Sequence, residues 1–86
     1  MKEYQNIPER EELISLISEA ENLHSKAKNL LIIDHLGEII NSLKVILEKI
    51  EHKELLNTED DQKHLKNIRE FQKISYFYQL LLNKNL

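Results

Sequence analysis

Two apolar stripes that cannot belong to one straight helix constrain this chain more than any other feature. The first, Leu13, Leu16, Ile17, Ala20, Leu23, Ala27, Leu30 and Leu31, recurs at helical spacing. The second is Leu36, Ile39, Ile40, Leu43, Ile46, Leu47 and Ile50. At roughly 100° per residue, an unbroken helix would rotate the second stripe about 150° from the first. One core cannot receive both, so the chain must turn or kink between about Asn29 and Gly37. Asp34 is the expected cap of the new helix, and Gly37 weakens its first turn.

The first helix is expected to start at Asn6-Ile7-Pro8-Glu9. Asn6 would cap, Pro8 would fall in the first turn, and Glu9 lies at capping-box spacing. Ala20 and Ala27, seven residues apart, allow a neighbouring helix to approach closely, and His24 lies on the same stripe. The second helix should fade between Lys53 and Leu56. Thr58 is then a cap with Asp61 three residues on, opening a third helix with an acidic first turn. On that helix Leu65, Ile68, Phe71, Ser75, Tyr78 and Leu82 share one face. No stretch alternates with period two for long enough to make a strand. The expected fold is an all-α, antiparallel three-helix bundle, or four helices if the 29–37 break makes an extra short one. Its contacts are mostly local, which favours fast folding.

Eighty-six residues imply a single domain with a modest core, which leaves little room for a deep substrate pocket. The absence of cysteine excludes disulfides and thiolate metal sites and fits a reducing compartment. The N-terminus lacks an apolar signal core, and Leu30-Leu31-Ile32-Ile33 is too short to span a bilayer. The expected setting is the cytoplasm, without membrane insertion. The net charge of −3 is uneven: Met1–His35 holds four basic and seven acidic residues, Gln62–Leu86 five basic and one acidic. That polarity would steer a partner but is too weak for a dedicated nucleic-acid binder.

Chemistry-bearing patterns are sparse. Glu48 with His52, and Asp60 or Asp61 with His64, have helical pair spacing, yet each pair supplies two ligands where structural zinc takes four. No metal or other cofactor is expected. With one glycine there is no phosphate cradle, and Ser15, Ser18, Ser25, Ser42 and Ser75 all fall within helices rather than in a glycine-flanked elbow. The acidic clusters Glu9/Glu11/Glu12 and Glu59/Asp60/Asp61 read as solvated helix starts. His24 and His35 lack the flanking motif of a phosphotransfer histidine. The expectation is a protein without enzymatic activity.

The third helix carries the informative feature. Tyr76, Phe77 and Leu80 point away from its core line, among Lys66, Arg69 and Lys73. Adjacent exposed aromatics with cations match the composition of protein interfaces, so these six residues are the candidate partner-binding set. The run Leu56-Asn57-Thr58-Glu59-Asp60-Asp61-Gln62-Lys63-His64-Leu65-Lys66-Asn67-Ile68, followed by Ile74 and the Tyr76/Tyr78 pair, resembles immunity proteins of pediocin-like (class IIa) bacteriocins. The segment from Leu31 to Leu47 resembles their penultimate helix, so the likeness covers roughly half the chain. Members of that family are usually longer, antiparallel four-helix bundles, and this chain has room for one strong helix before Asn29 where they usually have two. The resemblance implies a cytoplasmic protein, at most peripheral at the membrane, that protects its producer from a bacteriocin. It would act on the bacteriocin-bound mannose permease of the phosphotransferase system, with specificity in the C-terminal half, here Asn57–Leu86. The other readings are another small helical interaction protein (secretion co-chaperone, antitoxin or phage inhibitor) and a DNA-binding regulator. Negative net charge and the scatter of Asn, Gln and Arg weigh against the last.

Overall fold

The computed structural model describes residues 7–84, among which the chain forms three helices and no strand: α1 (Arg10–Lys26), α2 (Leu30–Glu51) and α3 (Glu59–Lys84). The three-helix bundle is therefore the observed fold, and the 29–37 stretch adds no fourth helix.

The ends of α1 differ from expectation. Glu9 is extended (φ −76°, ψ 163°), so the helix begins only after it, and Pro8 lies outside the first turn. The Glu9 carbonyl accepts from the Leu13 N–H at 2.9 Å, and its side chain makes no cap. The expected cap, Asn6, lies outside the described residues. At the other end Ala27 is again extended (φ −72°, ψ 141°). It therefore belongs to the connection rather than to the small-residue face of α1, and only Ala20 is fully buried there.

The break falls earlier than the apolar pattern suggests, at Ala27–Asn29. Asn29 caps α2: its Oδ1 accepts from the N–H groups of Leu31 at 2.8 Å and Ile32 at 3.3 Å. Asp34 is an exposed residue inside α2 and caps nothing. Leu30 and Leu31 consequently leave the α1 stripe and stand 75% and 79% exposed in the first turn of α2. Gly37 also lies well inside α2, and a Cβ built there meets no atom within 4 Å. Gly37→Ala should therefore raise stability by about 0.5–1 kcal/mol, since alanine loses less conformational entropy in a helix. Thermal unfolding followed by circular dichroism reads this directly; a lowered midpoint would mean that the site tolerates no methyl group.

α2 stops at Glu51 rather than fading through Leu56, because Lys53 takes the left-handed conformation (φ 58°). The Lys53 N–H then donates to the Ile50 carbonyl at 3.0 Å and the Glu54 N–H to the Lys49 carbonyl at 2.8 Å. These two bonds form a Schellman stop, with lysine where glycine is usual. α3 opens as its sequence predicts. The Asp61 N–H donates to Thr58 Oγ1 at 3.0 Å and the Thr58 N–H to Asp61 Oδ2 at 3.1 Å, a reciprocal capping box.

The core is one cluster. Leu13 and Ala20 from α1, Leu36, Ile39, Leu43 and Ile46 from α2, and Ile68 and Phe71 from α3 are essentially sealed from solvent. Leu56 and Leu82 are buried toward the two ends of α3. α2 is the central element: it packs on both other helices, while α1 and α3 touch each other least. The molecule measures 42 × 19 × 19 Å.

Three polar rungs, seven residues apart on α2, fix the antiparallel register of α2 and α3. His35 Nδ1 and the Tyr78 hydroxyl share a hydrogen bond. Ser42 Oγ lies 2.8 Å from His64 Nδ1 and accepts from Asn67 Nδ2 at 3.0 Å. Lys49 Nζ donates to Asp61 Oδ1 at 2.7 Å. The last rung corrects the reading of Glu59/Asp60/Asp61 as solvated acids, because Asp61 is fully buried. Burial pushes its carboxyl up, but the bonds from Lys49 and from the Thr58 backbone and hydroxyl more than offset that, and the net displacement is below the usual carboxylate range. The Lys49 ammonium is held above its ordinary range, chiefly by its hydrogen bond to Asp61.

Candidate protein-interaction surface

Exposure of the outer face of α3 follows from the helix period. With Leu65, Ile68, Phe71 and Leu82 turned into the bundle, residues half a turn away must face water. Phe77 is 67% exposed and Tyr76 64%, with ring centroids 6.4 Å apart in an edge-on pair. Leu80 is 45% exposed. Lys66 and Lys73 are exposed on the same side, and Arg69 is half-buried. All six candidate residues thus lie on one helix, the cations beginning one to three turns before the aromatics.

Two further residues belong to this surface. Leu81, also 45% exposed, and half-buried Ile74 line a shallow notch of about 150 Å³ with Phe77 and Tyr78. Leu81 is hard to assign in the sequence because it sits in a run of three leucines whose members face different ways. Leu82 is buried, Leu80 lies on the outer face, and Leu81 lies beside Ile74, Phe77 and Tyr78. The signal for it was the spacing Ile74, Phe77, Leu81, an apolar line at three and four residues.

Tyr78 marks the boundary of the surface. It packs on the core, its ring centroid is 5.9 Å from that of His35, and burial pushes its hydroxyl pKa up. The edge of α3 nearer α1 is polar, with Gln72 Nε2 donating to Glu12 Oε2 at 2.7 Å and Gln79 Nε2 donating to Glu19.

Two of the four histidines, His35 and His64, are hydrogen-bonded across α2 and α3. His64 faces Ser42 rather than Asp60 or Asp61, His35 faces Tyr78, and His52 Nδ1 lies 4.0 Å from Glu54. His24 is half-buried and lines a broad depression across α2 at Gly37, with Asp34, Glu38, Lys63 and His64 on its other sides. Among the described residues no group of three or more His, Asp or Glu is placed to hold a metal ion. Ser42 Oγ and His64 Nδ1 sit 2.8 Å apart at the floor of this depression, and the buried Ser42 hydroxyl also accepts from Asn67 Nδ2. No helix among the described residues is long and apolar enough to cross a membrane. Compared with known proteins, the chain matches no family model, no curated protein and no solved structure.

Proposed function

We propose that this chain is a non-enzymatic protein-binding module of immunity type, which protects the cell that makes it from a bacteriocin. It acts in the cytoplasm, where α3 and the C-terminal tail engage the toxin–receptor complex, the bacteriocin-bound mannose permease of the phosphotransferase system. The observation that carries the reading is the exposed Tyr76–Phe77–Leu80 patch beside Lys66, Arg69 and Lys73. Aromatic anchors flanked by cations are the composition of a binding hot spot. The sequence resemblance of the C-terminal half to class IIa immunity proteins supplies the class of partner. The mechanism is occlusion: a rigid helical surface covers the complex and holds it shut, with no bond made or broken.

Co-expression in a bacteriocin-sensitive cell tests this. Phe77→Glu with Leu80→Glu should keep helicity and melting temperature nearly intact, since substitutions at exposed sites usually change stability by about 0.5 kcal/mol or less. The same double variant should abolish protection, because a carboxylate at a desolvated interface meets a large burial cost. Tyr78→Glu should instead loosen the end of α3, because it breaks the His35 rung and places a charge against the core. A folded double variant that still protects would sink the proposal for this face.

A further inference from the structure

Charge and apolar exposure are polarised along the 42 Å axis of the molecule. α1 ends and α2 begins at one pole, where the stretch Ser25–Ile33 holds two lysines, Lys26 and Lys28, and no acidic residue. Both lysines are exposed, and Leu30 and Leu31 beside them stand 75% and 79% exposed. Adjacent positions on a helix point about 100° apart, so both leucines can face water only where neither flanking helix reaches. That place is the tip: Ile32 and Ile33 are already half-buried, and Leu36 is sealed. The opposite pole, where the Arg10–Glu51 ion pair joins the start of α1 to the end of α2, has another character. Leu55 is exposed at that end too, but so are Glu9, Glu12, Glu51, Glu54, Glu59 and Asp60.

We infer that the α1–α2 tip docks on an anionic lipid bilayer, with Leu30 and Leu31 dipping into the acyl boundary and Lys26 and Lys28 at the headgroup phosphates. Apolar side chains and cations on one edge are what such a surface binds. A lysine near an anionic surface gains roughly fivefold in affinity. A leucine that leaves water gains roughly tenfold or more. Together they give weak, reversible binding, of the kind a single acyl chain provides. Asp34, exposed one turn behind Leu30, limits the attraction. The acidic pole does not, because the molecule is 42 Å long and the Debye length at physiological salt is ~8 Å. A protein partner fits less well: two leucines on a convex tip fall far short of the roughly 800 Å² a side of a standard interface, whereas a bilayer conforms to any shape. A second copy fits worst, since a two-fold contact through the tip would gather four lysines with no acid in the stretch to pair them.

Co-sedimentation of the full chain with lipid vesicles tests this with neither bacteriocin nor permease present, so it stands or fails separately from the immunity reading. Wild type should pellet with phosphatidylcholine vesicles that contain phosphatidylserine and be released by high salt. It should bind pure phosphatidylcholine roughly tenfold more weakly or less. Leu30→Ser with Leu31→Ser should lose binding roughly tenfold or more while keeping the circular dichroism spectrum. Lys26→Glu with Lys28→Glu should lose it similarly, and Asp34→Asn should tighten it roughly fivefold. Leu55→Ser should leave it unchanged. The chain has no tryptophan, so Leu31→Trp should show blue-shifted emission on the anionic vesicles where Leu55→Trp does not. A wild type that fails to bind the anionic vesicles overturns the inference. So does binding that survives the leucine exchange, binding that needs Phe77 and Leu80 instead, or equal binding to the uncharged vesicles. Should the leucine variant unfold, the lysine exchange and the tryptophan shift decide.

Discussion

Phe71→Ala should lower stability by about 3–5 kcal/mol, the largest loss expected from any single truncation in this chain. Phe71 is fully buried and is the largest of the sealed side chains. It stands in the middle of α3, where that helix lies on the core made by α1 and α2. Truncation removes the transfer free energy of the ring and leaves a cavity that three short-linked helices cannot easily close. Since small domains are stable by roughly 5–15 kcal/mol in all, the variant should be marginal at best. Urea unfolding reads the change as a shift in midpoint. A midpoint close to the wild type would mean that Phe71 is not a core residue and that the faces of α3 are misassigned.

Asp61→Ala should cost about 2–3 kcal/mol and change how the fold responds to acid. Loss of a helix cap is worth ~1 kcal/mol, and loss of a hydrogen bond to a charged group about 1.5–3, with partial relief because Lys49 can reach water. The carboxylate is held below its ordinary range in the folded state, so it binds protons more readily when unfolded. Its stabilisation is therefore fully present above the unfolded value of about 3.9 and is lost as pH falls through the lower folded value. Lys49 has the opposite sign: its contribution is present below the ordinary lysine range and fades only as pH rises through the raised value. Thermal melts of wild type and Asp61→Asn from neutral pH down to about pH 2 should converge as acid removes what the substitution has already removed. Parallel curves would show that Asp61 is not the titrating group.

Much of this architecture is legible in the residues, and the misreadings have physical causes. Periodicity identifies a stripe but not which of two polar residues will cap. Asn29 and Asp34 both fit the pattern, and the choice fell to Asn29, whose Oδ1 reaches two N–H groups. Leu30 and Leu31 extend the first stripe on paper, so an apolar pattern alone assigns them to α1 and hides their exposure. The capping role of Asp61 is local and visible at three-residue spacing. Its burial is not, because that depends on Lys49 arriving from another helix. The outer face of α3 follows from angle alone for Tyr76, Phe77 and Leu80, whereas the half-burial of Arg69 depends on how neighbouring elements pack.

The central place of α2 decides how this molecule opens. α1 hangs on α2 by a three-residue connection and meets α3 least, so it can detach while the α2–α3 pair keeps its three polar rungs. Such partial opening exposes far less surface than global unfolding and needs less free energy. Amide protons of α1 should then exchange with solvent sooner than those in the middle of α2, whose release requires both neighbours to leave. The two flanking helices thus sit at different depths of one stability ladder, with α2 at its deepest rung.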